Sequence, residues 1–214
     1  VSPQGARRRA KQRAPGCRSR RPCIRGFASR GTPVSAKKRR PPGLRREVCI
    51  LKTLYIIGGP MGAGKTTVCQ VLKKTLPDSV FLDGDWCWDA HPFQVTEETK
   101  QMVLRNIRFV LGQFLHCSAY RSVIFCWVLH EQAILDAVLG GLDLTGCAVK
   151  NISLLCSEAE LRARLQRDVE SGLRTEGVIG RSLARLPAYA GLPTVKIDTT
   201  GRTPAEVAAQ IAAL

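Results

Sequence analysis

This chain of 214 residues carries a formal net charge of +16, and the whole excess lies at one end. Residues 1–46 contain 16 Lys and Arg and no Asp or Glu, whereas residues 47–214 contain 17 residues of each sign. This balance argues against a folded domain with a broad basic surface for nucleic acid. No apolar run approaches the roughly 20 residues of a membrane-spanning helix, so no membrane partner is expected.

Residues 1–46 are the first predicted region. They contain six prolines and almost no apolar periodicity, so they cannot bury enough surface to offset the entropy of ordering. We expect a disordered basic segment here. Residues 47–214 are long enough to form one domain with a sizeable core.

The origin of the basic segment has three interpretations. The chain opens with Val1 and its composition changes abruptly near residues 47–52, as it would if a translation start had been assigned upstream of the true one. We favour that interpretation. A basic arm for nucleic acid or anionic lipid, and a solvated tail without a role, are the alternatives. Nucleic acid is therefore expected as a partner only through this segment.

Nine cysteines are scattered along the chain without a C-x-x-C pair. Several lie in apolar runs that read as strands, where a free thiol packs as a small hydrophobic group. We expect reduced thiols, a cytoplasmic location and no metal cluster.

The first predicted strand, at residues 54–57, leads directly into a phosphate-binding pattern. Residues 59–66 match G-x-x-x-x-G-K-[ST], and residues 67–74 have the pattern of a helix. Glycines let such a loop turn its N–H groups towards a polyphosphate, while the lysine reaches the phosphates and the hydroxyl ligates Mg²⁺. The pattern predicts binding by Gly59, Gly62, Ala63, Gly64, Lys65, Thr66 and Thr67.

The remaining elements alternate between strands and helices. Strands are predicted at residues 79–82, 123–128, 149–155 and 194–197, and helices at residues 95–120, 130–139, 157–170 and from about 204. Thr96 is the predicted N-cap of the long helix, and Ser157 with Glu160 is predicted to form a capping box. The alternation predicts a parallel α/β sheet covered on both faces, whose ligands bind beyond the carboxyl ends of its strands.

Together these features resemble the P-loop small-molecule and nucleotide kinases, a group that includes shikimate, gluconate and adenylylsulfate kinases and chloramphenicol phosphotransferase. The resemblance covers the chain from about residue 51 and is closest to uncharacterised bacterial nucleotide-kinase-like proteins that share GGPMGxGKTT and FLDGDWCW. It implies a three-layer α/β P-loop fold with a five-stranded parallel sheet in the order 2-3-1-4-5, ATP on the P-loop, and an arginine-bearing lid.

Two carboxylates, Asp83 and Asp85, follow the second predicted strand. Strand alternation would send both towards the edge that carries the P-loop, although Asp-Gly-Asp is also a common polar turn. The resemblance implies that Asp83 is the metal-side residue and Asp85 the base that accepts the proton of the attacking hydroxyl. Residues 123–128 end without an acidic residue, so a Walker B carboxylate is missing and Asp83 would have to serve Mg²⁺.

All three tryptophans of the chain lie near the ends of the second and third predicted strands, together with one histidine. They are Trp86, Trp88 and Trp127, and the histidine is His130. A flat aromatic wall there suits a ring-bearing acceptor. Burial as ordinary core residues is the alternative.

Arginines are frequent near the Gly-rich stretch at residues 172–191. The resemblance makes this region the lid, whose arginines close on the transferring phosphate. It assigns that role first to Arg167 and Arg174, and then to Arg181 and Arg185, which share one helical face. Surface ion pairs with neighbouring acids are the alternative.

We therefore predict a kinase that uses ATP and Mg²⁺ to phosphorylate a hydroxyl of a small molecule, such as a nucleoside, nucleotide, sugar or antibiotic. One alternative is a polynucleotide 5′-hydroxyl kinase, for which the basic segment would supply salt-dependent affinity. The other is a non-enzymatic nucleotide-binding switch protein, against which the paired carboxylates argue.

Overall fold

The computed structural model describes residues 52–214. The predictions for residues 1–46 lie outside the described residues. Within residues 52–214, no helix is both long enough and apolar enough to cross a membrane.

Strands and helices alternate through the described chain, as the sequence predicts. The strands are β1 (Lys52–Gly58), β2 (Ser79–Asp83), β3 (Ser122–Cys126), β4 (Cys147–Leu155) and β5 (Val195–Asp198). The helices are α1 (Lys65–Thr75), α2 (Glu97–His116), α3 (Gln132–Leu139), α4 (Glu158–Glu170), α5 (Gly177–Arg185) and α6 (Pro204–Ala212). Short 3-10 helices cover Gly84–Cys87 and Leu186–Gly191.

The five strands form one parallel sheet in the order β2-β3-β1-β4-β5, which confirms the predicted fold class. In this register Asp83 pairs with Cys126, and Gly58 pairs with Ser153. Parallel strands end at a common edge, so the end of β2 and the loop after β1 lie at the same edge of the sheet.

The core lies on both faces of the sheet because neighbouring strand residues point to opposite sides. One face packs against α1 and α6 through a cluster that includes Tyr55, Ile57, Leu72, Ile124, Val207 and Ile211. The other packs against α2 and α3 through a cluster that includes Leu54, Ile56, Ile107, Leu111, Phe125 and Leu135. A fully buried Leu or Ile stabilises the fold by roughly 1.5–3 kcal/mol, so the two clusters hold the central strands firmly in place.

Helix α2 ends four residues before the predicted boundary at residue 120. Its start agrees with the prediction, since the hydroxyl of Thr96 accepts from the backbone N–H of Thr99. At the other end, the ammonium group of Lys52 donates to the backbone carbonyls of Cys117 and Tyr120. Residues 118 and 119 form a turn, in which the backbone N–H of Tyr120 donates to the carbonyl of Cys117 at 3.3 Å, and the contact from Lys52 of β1 is not encoded in the local sequence.

Candidate functional site at the carboxyl ends of the strands

The loop between β1 and α1 needs glycine for both backbone and packing reasons. Gly62 and Gly64 each have a φ of 84°, a conformation that side chains with a Cβ rarely adopt. A Cβ on Gly62 would also lie 2.8 Å from Cγ of Leu165 on α4. The loop therefore packs closely against α4. Its conformation depends both on the backbone angles of its glycines and on this contact.

Lys65, the first residue of α1, spans this loop. Its ammonium group donates to the backbone carbonyls of Gly59 and Pro60, both at 2.9 Å. Burial lowers the pKa of Lys65, while the neighbouring Cys126, Asp85 and Asp83 act in the opposite direction. The ammonium group is thus held at the mouth of the loop, close to the N-terminus of α1.

Thr66 and Asp83 meet at the edge of the sheet. The hydroxyl of Thr66 donates to Oδ2 of Asp83 at 2.6 Å, and Asp83 is only 5% exposed. A hydroxyl and a carboxylate are the hard oxygen donors that Mg²⁺ prefers, so these residues fit a magnesium site. Within residues 52–214 no group of three or more His, Cys, Asp or Glu residues could hold a metal ion.

Asp85 lies at the same edge, on the turn that the sequence analysis gave as the alternative to strand alternation. It lies on the 3-10 turn Gly84–Cys87 rather than on a continuing strand, and its backbone N–H donates to Oδ1 of Asp83 at 3.1 Å. The indole Nε1 of Trp127 donates to Oδ1 of Asp85 at 3.0 Å. A Cβ on Gly84 would lie 2.6 Å from Cγ of Trp127, so the glycine between the two aspartates lets the indole approach.

Two cavities adjoin at Asp85. The first, here named the P-loop cavity, has a volume of about 500 Å³ and is lined by residues 61–68, Asp83, Arg164, Arg167, Arg174 and Arg202, among others. The second, named the aromatic cavity, has a volume of about 800 Å³ and is lined by Trp88, Phe93, Trp127, His130, Arg181 and Arg185, among others. Met61, Asp85 and Val128 line both cavities.

Three of the four predicted acceptor-side residues line the aromatic cavity, namely Trp88, Trp127 and His130. The rings of Trp88 and Trp127 pack edge to face with centroids 6.0 Å apart. Trp86 lies outside this cavity, where it is 56% exposed and packs edge-on against Phe81 with centroids 5.2 Å apart. Nε2 of His130 lies 3.1 Å from the carboxylate of Glu131.

The predicted lid arginines divide between the two cavities. Arg167 and Arg174 line the P-loop cavity, and Nε of Arg174 lies 3.1 Å from Oδ2 of Asp168. Arg181 and Arg185 line the aromatic cavity instead. The region from α4 to α5 therefore supplies cations to both cavities.

Sequence reasoning gave no site role to Arg164 and Arg202, which also line the P-loop cavity. Arg164 pairs with Glu160 at 2.8 Å and donates to the hydroxyl and carbonyl of Thr199. The predicted capping box is only half formed, because Ser157 accepts from the backbone of Glu160 while the Glu160 carboxylate pairs with Arg164. The spacing of Glu160 and Arg164 by one helical turn could have predicted this ion pair from the sequence.

Solved structures with the same fold include several small-molecule kinases. The tunicamycin resistance protein of Deinococcus radiodurans matches with a TM-score of 0.60 and 24% identity, over 76% of this chain and 94% of that one. A gluconokinase from Sinorhizobium meliloti 1021 matches with a TM-score of 0.53 and 17% identity, over 76% and 91% of the two chains. Shikimate kinase from Acinetobacter baumannii matches with a TM-score of 0.51 and 22% identity, again over 76% and 91%.

At these identities the structural matches establish the fold. No curated protein matches the chain significantly. The family model AAA_18, described as an AAA domain, matches residues 56–178, which is more than half of the chain and contains the P-loop, both aspartates and the region between α4 and α5. With its P-loop and its kinase-like sheet, the chain belongs to the AAA_18 family.

Proposed function

We propose that this protein is a kinase that transfers the γ-phosphate of ATP to a hydroxyl of a small molecule, with Mg²⁺ as cofactor. The observation that carries the proposal is the position of Asp85 on the wall shared by the P-loop cavity and the aromatic cavity. A carboxylate at this boundary can accept a proton from a hydroxyl on one side while phosphate is presented from the other. The kinases among the structural neighbours support the same reaction class.

The P-loop cavity would hold the nucleotide. Its loop amides and the N-terminus of α1 favour negative charge, and Lys65 would exchange its two carbonyl partners for phosphate oxygens. The stronger attraction of an ammonium group for a charged oxygen favours this exchange. Arg167 and Arg174 line the same cavity, and Asp168, which pairs with Arg174, lines it as well.

Thr66 and Asp83 would hold the Mg²⁺ ion, since their oxygens already lie 2.6 Å apart at the mouth of the loop. When bound, Mg²⁺ neutralises charge on the phosphate groups. The backbone N–H of Asp85 and the hydroxyl of Thr66 both donate to Asp83, which fixes the direction of its carboxylate. Asp83 thereby also sets the start of the turn that carries Asp85.

Transfer forms a bond between the acceptor oxygen and Pγ and breaks the bond between Pγ and the β–γ bridging oxygen. The bridging oxygen leaves with its electron pair as part of ADP, and the acceptor proton passes to Asp85. Trp127 orients Asp85 through the 3.0 Å hydrogen bond from its indole, so the carboxylate keeps its other oxygen for the acceptor. Most of the rate enhancement in such reactions comes from positioning and charge stabilisation.

The proposal is tested by incubating the full chain with γ-labelled ATP, Mg²⁺ and hydroxyl compounds drawn from nucleosides, nucleotides, sugars and aromatic antibiotics. A thermal-shift screen with an unreactive ATP analogue selects them, since a ligand at 100 times its Kd adds roughly 2.7 kcal/mol of stability. We expect label on at least one acceptor, dependent on Mg²⁺ and lost in Lys65→Ala. Nucleotide binding without transfer to any class would contradict the proposal and favour a nucleotide-binding switch.

A further inference from the structure

The aromatic cavity has a cationic wall formed by α5. Arg181 and Arg185 lie one helical turn apart and both line the cavity. Within residues 52–214 neither guanidinium group pairs with a carboxylate, in contrast to Arg164 and Arg174. Guanidinium groups that lie beside an apolar surface and have no protein partner favour binding of an anion that accepts hydrogen bonds from both.

The position of this wall is fixed by a buried contact. Ser182, between the two arginines on α5, is fully buried, and its hydroxyl donates to the backbone carbonyl of Met61 in the P-loop at 2.7 Å. Helix α5 is therefore anchored to the loop that would hold the nucleotide. Its arginines are presented to the aromatic cavity from a constrained element.

A second part of the cavity wall is aromatic. Trp88 packs edge to face against Phe93, with centroids 4.8 Å apart, and against Trp127. These rings suit the flat or apolar body of a ligand, because aromatic faces gain from both burial and ring contacts. A ligand that contacts both the aromatic rings and the two arginines therefore has a ring and an anionic group.

Three other charged side chains line the aromatic cavity. Asp85 and Asp89 are the lining carboxylates, and Lys100 adds a third cation, which lies 3.8 Å from Glu97. Asp85 lines both cavities, whereas Arg181 and Arg185 line only the aromatic one. The anion would therefore bind away from the hydroxyl that Asp85 serves.

We propose that the acceptor is a ring-bearing hydroxyl compound that also carries a carboxylate or phosphate group, and that Arg181 and Arg185 bind this anion. The inference rests on the proposed kinase function, since it names the class of acceptor for the same site. Arg181 and Arg185 are thus specificity-determining residues rather than members of the lid over the transferring phosphate.

The test compares neutral probes with matched anionic probes, which carry a phosphate group on the 5′-hydroxyl or a carboxylate in place of a hydroxymethyl group. The full chain, saturated with Mg²⁺ and an unreactive ATP analogue, is titrated with uridine against uridine 5′-monophosphate, and with 4-hydroxybenzyl alcohol against 4-hydroxybenzoate. We expect the anionic member of at least one pair to bind at least about 10-fold more tightly, which is the effect of one charge-assisted contact. The first pair reports a preference for phosphate and the second a preference for carboxylate.

Matched variants identify the residues responsible. Arg181→Gln and Arg185→Gln should each remove most of the preference for the anionic probe. Arg162→Gln is the control, because Arg162 is exposed on α4, pairs with Glu158 and lines neither cavity. Melting temperatures without ligand check that each variant folds.

Three outcomes separate this inference from the proposed function. Anion binding that needs Arg181 and Arg185, without phosphoryl transfer to any acceptor, would support the anion site and overturn the kinase proposal. Transfer to neutral hydroxyl compounds, with no preference for either anionic probe, would overturn the inference and leave the kinase proposal standing. The inference is equally overturned if no anionic probe binds better than its neutral partner.

Discussion

The two adjoining cavities are built in different ways. The P-loop cavity takes eight of its lining residues from one continuous stretch, residues 61–68, whose conformation depends on glycines. The lining residues of the aromatic cavity come from the P-loop, the chain between β2 and α2, α2, the chain after β3, α3 and α5. A contiguous motif supplies the loop of the first cavity, and residues from β2, α4 and the chain after β5 complete it, whereas the second cavity has no comparable contiguous stretch. Substitutions in the P-loop should therefore act on the nucleotide, and substitutions around the aromatic cavity should act on the acceptor.

The largest expected effect is that of Lys65→Ala. It removes the ammonium group at the mouth of the P-loop, so we expect turnover to fall at least about 100-fold, together with weaker ATP binding. The fold should persist because the change removes no core volume. Steady-state kinetics and calorimetric ATP binding measure the two effects. Lys74→Ala is the matched control, since Lys74 is an exposed lysine on the same helix. Equal activity of the two variants would contradict the proposed role.

Substitutions of Asp83 and Asp85 should affect different properties of the reaction. Asp85→Asn removes the proton acceptor, so we expect kcat to fall by roughly 10²–10⁴ with little change in ATP affinity. Asp83→Asn removes the carboxylate beside Thr66 and should raise the Mg²⁺ concentration needed for half-maximal activity. Titrations with Mg²⁺ at saturating ATP distinguish the variants. If both show the same metal dependence, the division of roles between them is wrong.

A moderate effect is expected where α5 is anchored to the P-loop. Ser182→Ala removes the 2.7 Å hydrogen bond to the carbonyl of Met61 and leaves that acceptor without its donor. Loss of such a partner costs roughly 1–3 kcal/mol, which thermal unfolding should detect. Because Met61 lines both cavities, KM for ATP and for the acceptor should both rise. Ser182→Thr, which keeps a hydroxyl, is the rescue variant. A loss of stability with both KM values unchanged would limit Ser182 to a structural role.

The smallest effect is expected from removal of residues 1–46. The P-loop, both aspartates and the lining residues of both cavities lie between residues 59 and 207, so activity and melting temperature should remain unchanged. Kinetics at low and high salt, with and without the segment, provide the measurement. A loss of activity that depends on salt would contradict this expectation and favour the polynucleotide 5′-hydroxyl kinase.

Local patterns predicted the central parts of the elements well. The apolar run at residues 123–128 predicted β3, and Thr96 with the acidic residues after it predicted the start of α2. Both signals depend on neighbours in the chain, namely side-chain alternation and the free N–H groups of a helix start. The strand order followed from the family resemblance and is confirmed by the pairing of β1 with β3 and β4.

Element ends and side-chain partners were harder to predict because they depend on distant residues. Helix α2 ends where Lys52 of β1 binds the carbonyls beyond it, and Asp85 is oriented by Trp127, which lies 42 residues further along the chain. The division of the arginines between two cavities likewise depends on how α4 and α5 pack. Helical spacing predicted that Arg181 and Arg185 share a face, but not which cavity that face lines.

The sequence by itself determined the phosphate-binding loop, the alternation of strands and helices, and the presence of two carboxylates after β2. These features depend on backbone freedom and on side-chain periodicity, which are properties of short segments. The tertiary structure decided that Asp85 lies between two cavities, that the indole of Trp127 donates to it, and that Arg181 and Arg185 line the aromatic cavity. Those relations arise when segments far apart in the chain bury their apolar faces together, and only that packing sets the distances between their polar groups.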